Sequence, residues 1–373
     1  MAAVGRDADA LGAFRQLAAR NPNDREARLW IARLHERMGN PDLAEPVYRS
    51  VLLEDPSSLD AALGLASTLL VREDAEETID LLTAIEQRAP QNPNVLELLG
   101  RAHRLAGHQA LAIDYFERAL AIAPTGEHRL RLEDARRAYL HRVEARGFSE
   151  QFNGRTPDSW NADVLVNYRL TDKLRITGRG QTQRKFAASD RRGGGGFEWQ
   201  WKSRTILRGQ VLVGPNNVVM PEGDYHGELE HTEGRAVWTL GVRYFDFTGA
   251  RTTVLSPDVT CFASERVSLG LRYAMSFTET STVSTVVMGH SLHLRGAYRL
   301  YPRVWLHTAY AAGVEDFDNL SVDRIGDFRA NTVAGGARID LPTLTSVIAN
   351  YERQWRRGNI DVARVTLSLQ QRF

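Results

Sequence analysis

The chain has 373 residues, 43% of them hydrophobic and 25% charged, with a formal net charge of +1. That balance leaves no global field aimed at nucleic acid or an acidic partner, and the length allows about one to three domains with real cores. The single cysteine, Cys261, excludes an intramolecular disulfide and most thiolate metal sites, and the longest nearly apolar run, residues 61–71, is too short for a spanning helix.

Residues 1–7 show no basic flank followed by an apolar core, so no signal peptide is visible in this chain. Four prolines, Pro22, Pro56, Pro90 and Pro124, then recur every 34 residues. A fixed spacing of that length marks stacked supersecondary units. Between the prolines the apolar period is helical, with breaks where two helices join. Residues 25–38 read as a first helix, 39–42 as a turn and 43–53 as a second helix. The last full unit is the clearest, with Leu96, Leu99, Gly100, Gly107, Ala112, Tyr115, Phe116, Ala119, Leu120 and Pro124.

Small residues (Ala32, Ala66, Gly100, Ala44, Ala112) allow close helix approach, and Tyr48, Leu82 and Phe116 fill the gaps between helices. This pattern resembles the tetratricopeptide repeat over about residues 9–124, as a half-unit (Ala10, Phe14, Leu17) and three full repeats. The middle unit departs from it, with Thr78 for Ala and Leu82 for the aromatic. A chain opening on half a repeat leads to the expectation of more repeats upstream. Residues 127–146 read as a further amphipathic helix, charged on its far side as a terminal cap must be. The resemblance implies a concave surface for a protein or peptide partner. His35 and His103 occupy equivalent repeat positions and read as structural.

After Gly147 the period changes to two, and about fourteen strands follow. They run over about 147–153, 159–170, 173–186, 195–202, 204–213, 223–231, 235–247, 252–263, 267–277, 286–299, 303–314, 328–340, 344–355 and 359–373. Short connections fall at 171–172, 203, 232–234, 264–266, 300–302 and 341–343. Longer ones fall at 187–194, 214–222, 278–285 and 315–327, with the short 356–358 an exception. An even strand count with short turns at one end and long loops at the other is the pattern of a bacterial outer-membrane barrel. The expected fold is therefore an α+β multidomain chain: an N-terminal α-solenoid (residues 1–146) and a C-terminal antiparallel transmembrane β-barrel (147–373).

The last strand carries the pattern plainly. Ala363, Val365, Leu367, Leu369 and Phe373 alternate with Arg364, Thr366, Ser368, Gln370 and Arg372, and Phe373 is the closing-strand terminus. This strand is expected to pair with both 344–355 and the weak first strand. Trp199, Trp201, Trp238, Tyr273, Tyr298, Tyr310, Tyr351 and Trp355 suit interfacial girdles. The lumen-lining candidates are Arg175, Arg179, Arg243, Arg272, Arg295, Arg338 and Arg364, facing Asp163, Glu228, Glu230, Asp258 and Glu352. A three-residue turn at 264–266 would set Asp258 opposite Arg272. These charges either lock into a plug-free polar core or line a water-filled path for anionic or sugar-rich cargo.

Gly313, Val314, Glu315, Asp316, Phe317, Asp323, Arg324, Gly326, Gly335, Gly336, Arg338, Tyr351, Glu352, Arg372 and Phe373 resemble the YaiO-type outer-membrane β-barrel family. That resemblance implies an outer-membrane barrel and brings no catalytic residues with it. Repeats ahead of a barrel are similar, in architecture only, to exopolysaccharide export porins.

No cofactor or metal site is expected. The loop with Glu315, Asp316, Asp318, Asn319, Asp323 and Asp327 is rich in oxygen ligands but lacks the calcium-loop order, and reads as an external loop, solvated or folded into the barrel mouth. Gly193 to Gly196 lacks a following Lys-Ser/Thr and reads as a flexible loop rather than a phosphate cradle. His290 and His293 point to opposite faces, and His226 with Glu228 has no adjacent nucleophile, so an enzyme is not expected. The reading is an outer-membrane barrel with residues 1–146 in the periplasm, contacting membrane lipid, a periplasmic protein or peptide, and an exported polysaccharide. The alternative is a closed barrel anchoring a protein-interaction module. A hydrolase using His226 or His293 is the third reading.

Overall fold

The computed structural model describes residues 2–153, 158–202, 204–281, 283–314, 316–326 and 328–373. The chain divides into two units, Met1–Tyr139 and Leu140–Phe373.

Eight helices make the first unit: α1 (Ala2–Arg20), α2 (Arg25–Arg37), α3 (Pro41–Glu54), α4 (Leu59–Val71), α5 (Ala75–Glu86), α6 (Pro93–Ala106), α7 (Gln109–Ile122) and α8 (Gly126–Tyr139). Their starts follow from capping. Asp24, Ser58 and Asn92, one per repeat, each accept a hydrogen bond from the backbone N–H three residues on. Side-chain size then sets helix spacing. Tyr48, Leu82 and Phe116 are buried on the second helix of each repeat, and Ala32, Ala66 and Gly100 are buried on the first. A Cβ at Gly100 would sit 2.7 Å from the Phe116 ring, so the bulkiest apolar filler faces the smallest partner. In the atypical middle repeat Thr78 is buried and its hydroxyl donates to the Asp74 carbonyl at 2.6 Å.

The second unit is a closed antiparallel barrel of fourteen strands, each paired with its sequence neighbours. They are β1 (Arg142–Phe152), β2 (Ser159–Arg169), β3 (Leu174–Lys185), β4 (Ala188–Lys202), β5 (Thr205–Val213), β6 (Gly223–Glu233), β7 (Ala236–Phe247), β8 (Ala250–Phe262), β9 (Val267–Thr280), β10 (Val283–Tyr301), β11 (Val304–Ala312), β12 (Ala330–Asp340), β13 (Thr345–Arg356) and β14 (Ile360–Arg372). The last strand closes the ring, running from Arg372 opposite Arg142 to Val362 opposite Phe152, with β13 on its other side. His141 and Phe373 exchange both backbone hydrogen bonds at 3.1 Å, so the chain enters and leaves the barrel at one end.

Four sequence expectations are corrected. Residues 142–146, read as helix, belong to β1, because pairing with β2 and β14 satisfies their backbone where a lone helical turn could not. The connection read at 187–194 is strand. β3 and β4 turn through Phe186 and Ala187 alone, both at positive φ. Gly193 to Gly196 is therefore no flexible loop but sits in β4 between β3 and β5. The long connection read at 278–285 is also mostly strand, with β9 running to Thr280 and β10 starting at Val283. The regular alternation of loop length thus fails. Among the described connections at that end, 214–222 and 313–329 are long, while 186–187, 248–249 and 357–359 are tight.

The two barrel faces differ in chemistry. Val164, Val166, Tyr168, Leu240, Val242, Leu269, Leu271, Val365, Leu367 and Leu369 are exposed on the outside, as are all eight aromatics expected in girdles. Alternate residues such as Asn161, Asp163, Asn167, Gln181 and Arg364 are buried inside. Among the described residues no helix is long and apolar enough to cross a membrane.

Candidate functional site

The barrel interior is filled at one end by its own loop. After β11 the chain turns at Gly313 (φ +100°) and runs inward. Val314, Phe317 and Leu320 pack on Phe245, Phe247, Ala250, Val254 and Ala274 of the inner wall. Burying Phe317 and Leu320 stabilises this seat by about 2–3 kcal/mol each. His293 stacks on Phe317 at 6.1 Å, and Ser291 Oγ accepts from the Val314 N–H at 2.9 Å.

Ion pairs hold the rest of the loop. Glu150 of β1, with no accessible surface, accepts from Arg324 of the loop and from Arg364 at 2.6 Å, and lies 3.3 Å from Lys185. Lys185 and Arg356 also take Asp323 at 3.1 and 2.7 Å. Arg243 Nη1 donates to Asp318 at 2.7 Å, and Arg192 donates to the Asp318 carbonyl at 2.7 Å. The loop at 214–222 closes over the same end: Asp190 accepts the N–H groups of Val218, Val219 and Met220, and Val219 O accepts from Val322 N. A polar core locked only by wall charges was one expectation; the structure adds a loop inserted among them. Asp318 therefore serves as an ion partner of the wall, while Asp316 accepts from the Asp318 N–H and from Asn319 within the loop, and among the described residues no group of carboxylates, His or Cys could hold a metal. Glu315 and Asp327 lie outside the described residues.

The charges singled out in the sequence divide among several separate ion-pair groups along the wall. Arg179 meets Asp163 at 2.7 Å, and Arg243 meets Asp224 at 2.8 Å. Arg364 bridges Glu150 and Glu352, the latter at 3.1 Å. Arg272 and Arg295 share Asp258 at 2.8 and 2.6 Å, with Asp258 opposite Arg272 in the ladder. Arg338 pairs with Asp340 at 2.9 Å, Arg175 lies 3.8 Å from Glu198, and Glu228 with Glu230 takes Arg208 at 2.6 and 2.9 Å. His226 lies 3.9 Å from Glu228, and His290 faces outward against Tyr273. Sequence reasoning missed Glu150, Lys185, Arg192, Arg208 and Arg324 as interior partners. One signal for the inserted loop was present: at Tyr244, Phe245 and Phe247 alternation fails, because both faces of β7 are aromatic where one should be polar.

Residues 37–102 and 79–127 match two models of the tetratricopeptide repeat. The first unit is a tetratricopeptide-repeat array. Its solved likenesses include a thermophilic TPR protein of Thermus thermophilus, 25% identical over 36% of this chain and 74% of its own, with a TM-score of 0.33. MamA of Desulfovibrio magneticus is 21% identical over 35% of this chain and 75% of its own, with a TM-score of 0.33. A bacterial polysaccharide outer membrane secretin is 10% identical over 63% of this chain and 99% of its own, with a TM-score of 0.44. No curated protein sequence matches. Within the tetratricopeptide array His103 stacks on Tyr115 at 5.3 Å, and burial and the neighbouring His108 push its pKa down. His35 is likewise lowered by burial, beside Arg15.

Proposed function

We propose that this chain is a bacterial outer-membrane β-barrel of the YaiO type carrying a periplasmic tetratricopeptide scaffold, and that it serves export or assembly of an envelope or extracellular polysaccharide without being an enzyme. One observation carries the reading: a closed ring of fourteen strands with an apolar outside, exposed Trp and Tyr, and a charged inside. A ring without edges satisfies every strand, and its apolar outside has no solvent-side rationale in water. In this reading the repeats dock a periplasmic protein or peptide, and the barrel wall contacts lipid. The polar interior suits a hydrated chain rather than a lipid.

The inserted loop favours a second reading alongside the first, in which the barrel stays closed and anchors the repeats at the membrane. Planar-bilayer recordings on the full chain separate the two. Conductance after disruption of the loop's ion pairs supports a gated passage. Persistent silence from an inserted, folded barrel leaves the anchor. A chain that partitions with soluble proteins and binds no bilayer would overturn both.

A further inference from the structure

The charge balance around the inserted loop bears on the class of cargo, an inference that rests on the polysaccharide reading above. Arg146, Arg179, Arg192 and Arg243 converge from four strands on only two wall carboxylates, Asp163 and Asp224, at 2.7 to 3.0 Å. The loop supplies the missing two. Asp318 bonds Arg243 directly, and Asp316, two residues earlier on the same loop, accepts from the Asp318 N–H at 2.9 Å and from Asn319 at 2.6 Å. The Asp318 side chain remains half exposed. Arg272 and Arg295 likewise share one carboxylate, whereas elsewhere on the wall Arg208 faces three, Glu198, Glu228 and Glu230. Arg295 borders a cavity of about 440 Å³ whose lining includes Thr260, Ser268, Asn350 and Glu352.

We infer that this cluster of four arginines is a binding site for an acidic polysaccharide, a chain with regularly spaced carboxylates, and that the loop bearing Asp316 and Asp318 occupies it in the absence of cargo. A buried cation stripped of its partner costs several kcal/mol, so whatever displaces the loop must return negative charge. A uronate chain does so at successive residues. A neutral glycan leaves four arginines facing two carboxylates and cannot compete with the loop.

The test uses the full chain in planar bilayers and in detergent. The Asp316→Asn/Asp318→Asn variant should conduct several-fold more than the wild type, select anions over cations, and be blocked by polygalacturonate but not by dextran of matched length. On the wild type, polygalacturonate should raise tryptic cleavage after Arg324 several-fold, since that residue is 2% exposed while the loop is seated, and dextran should not. The proteolysis result stands even where the variant fails to fold. Cation selectivity of the opened barrel, or equal effects of dextran and polygalacturonate, would overturn the inference while leaving the membrane reading intact. A chain that never inserts would strike the membrane reading itself.

Discussion

Glu150 accepts from Arg324 and Arg364 on one carboxylate oxygen, and its other oxygen accepts from Ser159 at 2.6 Å and lies 3.3 Å from Lys185. Glu150→Gln keeps the shape and removes the charge that compensates three buried cations. We expect it to destabilise the folded barrel by about 3–5 kcal/mol, read from the urea midpoint, and to expose Arg324 to trypsin. None of this was legible in the sequence. Glu150 sat in a strand whose pattern was weak, and its partners lie up to 214 residues away. By contrast Asp258 with Arg272 was legible on condition of a three-residue turn, since a turn one residue shorter would put the two charges on different faces. In the repeats, His103 and His35 have pKa values lowered by burial, so the unfolded chain binds protons more readily than the folded one. Stability should then fall as pH drops below the unfolded value of about 6.5, and the fall should shrink in His35→Gln/His103→Gln, as followed by helical circular dichroism.

At the scale of elements, the repeat helices were readable because each is specified locally, by a cap and by small and large residues at fixed offsets. Gly100→Ala tests that specification. The added Cβ meets Phe116, and overpacking should outweigh the gain in helix propensity, costing about 1 kcal/mol on thermal unfolding. Phe116→Leu, which copies the middle repeat, should relieve it. Strand boundaries were less readable wherever glycine or polar runs imitate loops, as at Gly193 to Gly196. There glycine serves close packing of strands: a Cβ on Gly194 would lie 2.0 Å from the Val211 carbonyl oxygen, whereas one on Gly180 meets nothing within 4 Å. Gly194→Val should therefore abolish the heat-modifiable folded band in gels, and Gly180→Val should preserve it. For the loop after β11, folding into the barrel mouth was one of two expectations, and the strand pattern could not choose between them. A pattern of period two describes strands and is silent about which connection turns inward.

At the scale of the whole molecule, closure was the reliable expectation, because an even strand count returns the chain to its starting end and β14 then has only β1 left to pair with. The purpose of the interior was not readable from composition, since its charges nearly cancel within the chain and their local surplus appears only once the strands are placed. Orientation across a membrane is the central claim. It is tested most directly by labelling with a membrane-impermeant maleimide on intact cells, after Cys261→Ser removes the native, exposed thiol. Asn216→Cys lies on the exposed loop between β5 and β6, and Asp172→Cys on the exposed turn between β2 and β3 at the opposite end. The account predicts labelling at position 216 on intact cells and at position 172 only after the outer membrane is permeabilised. Equal labelling of both on intact cells, or of neither until lysis, would contradict it.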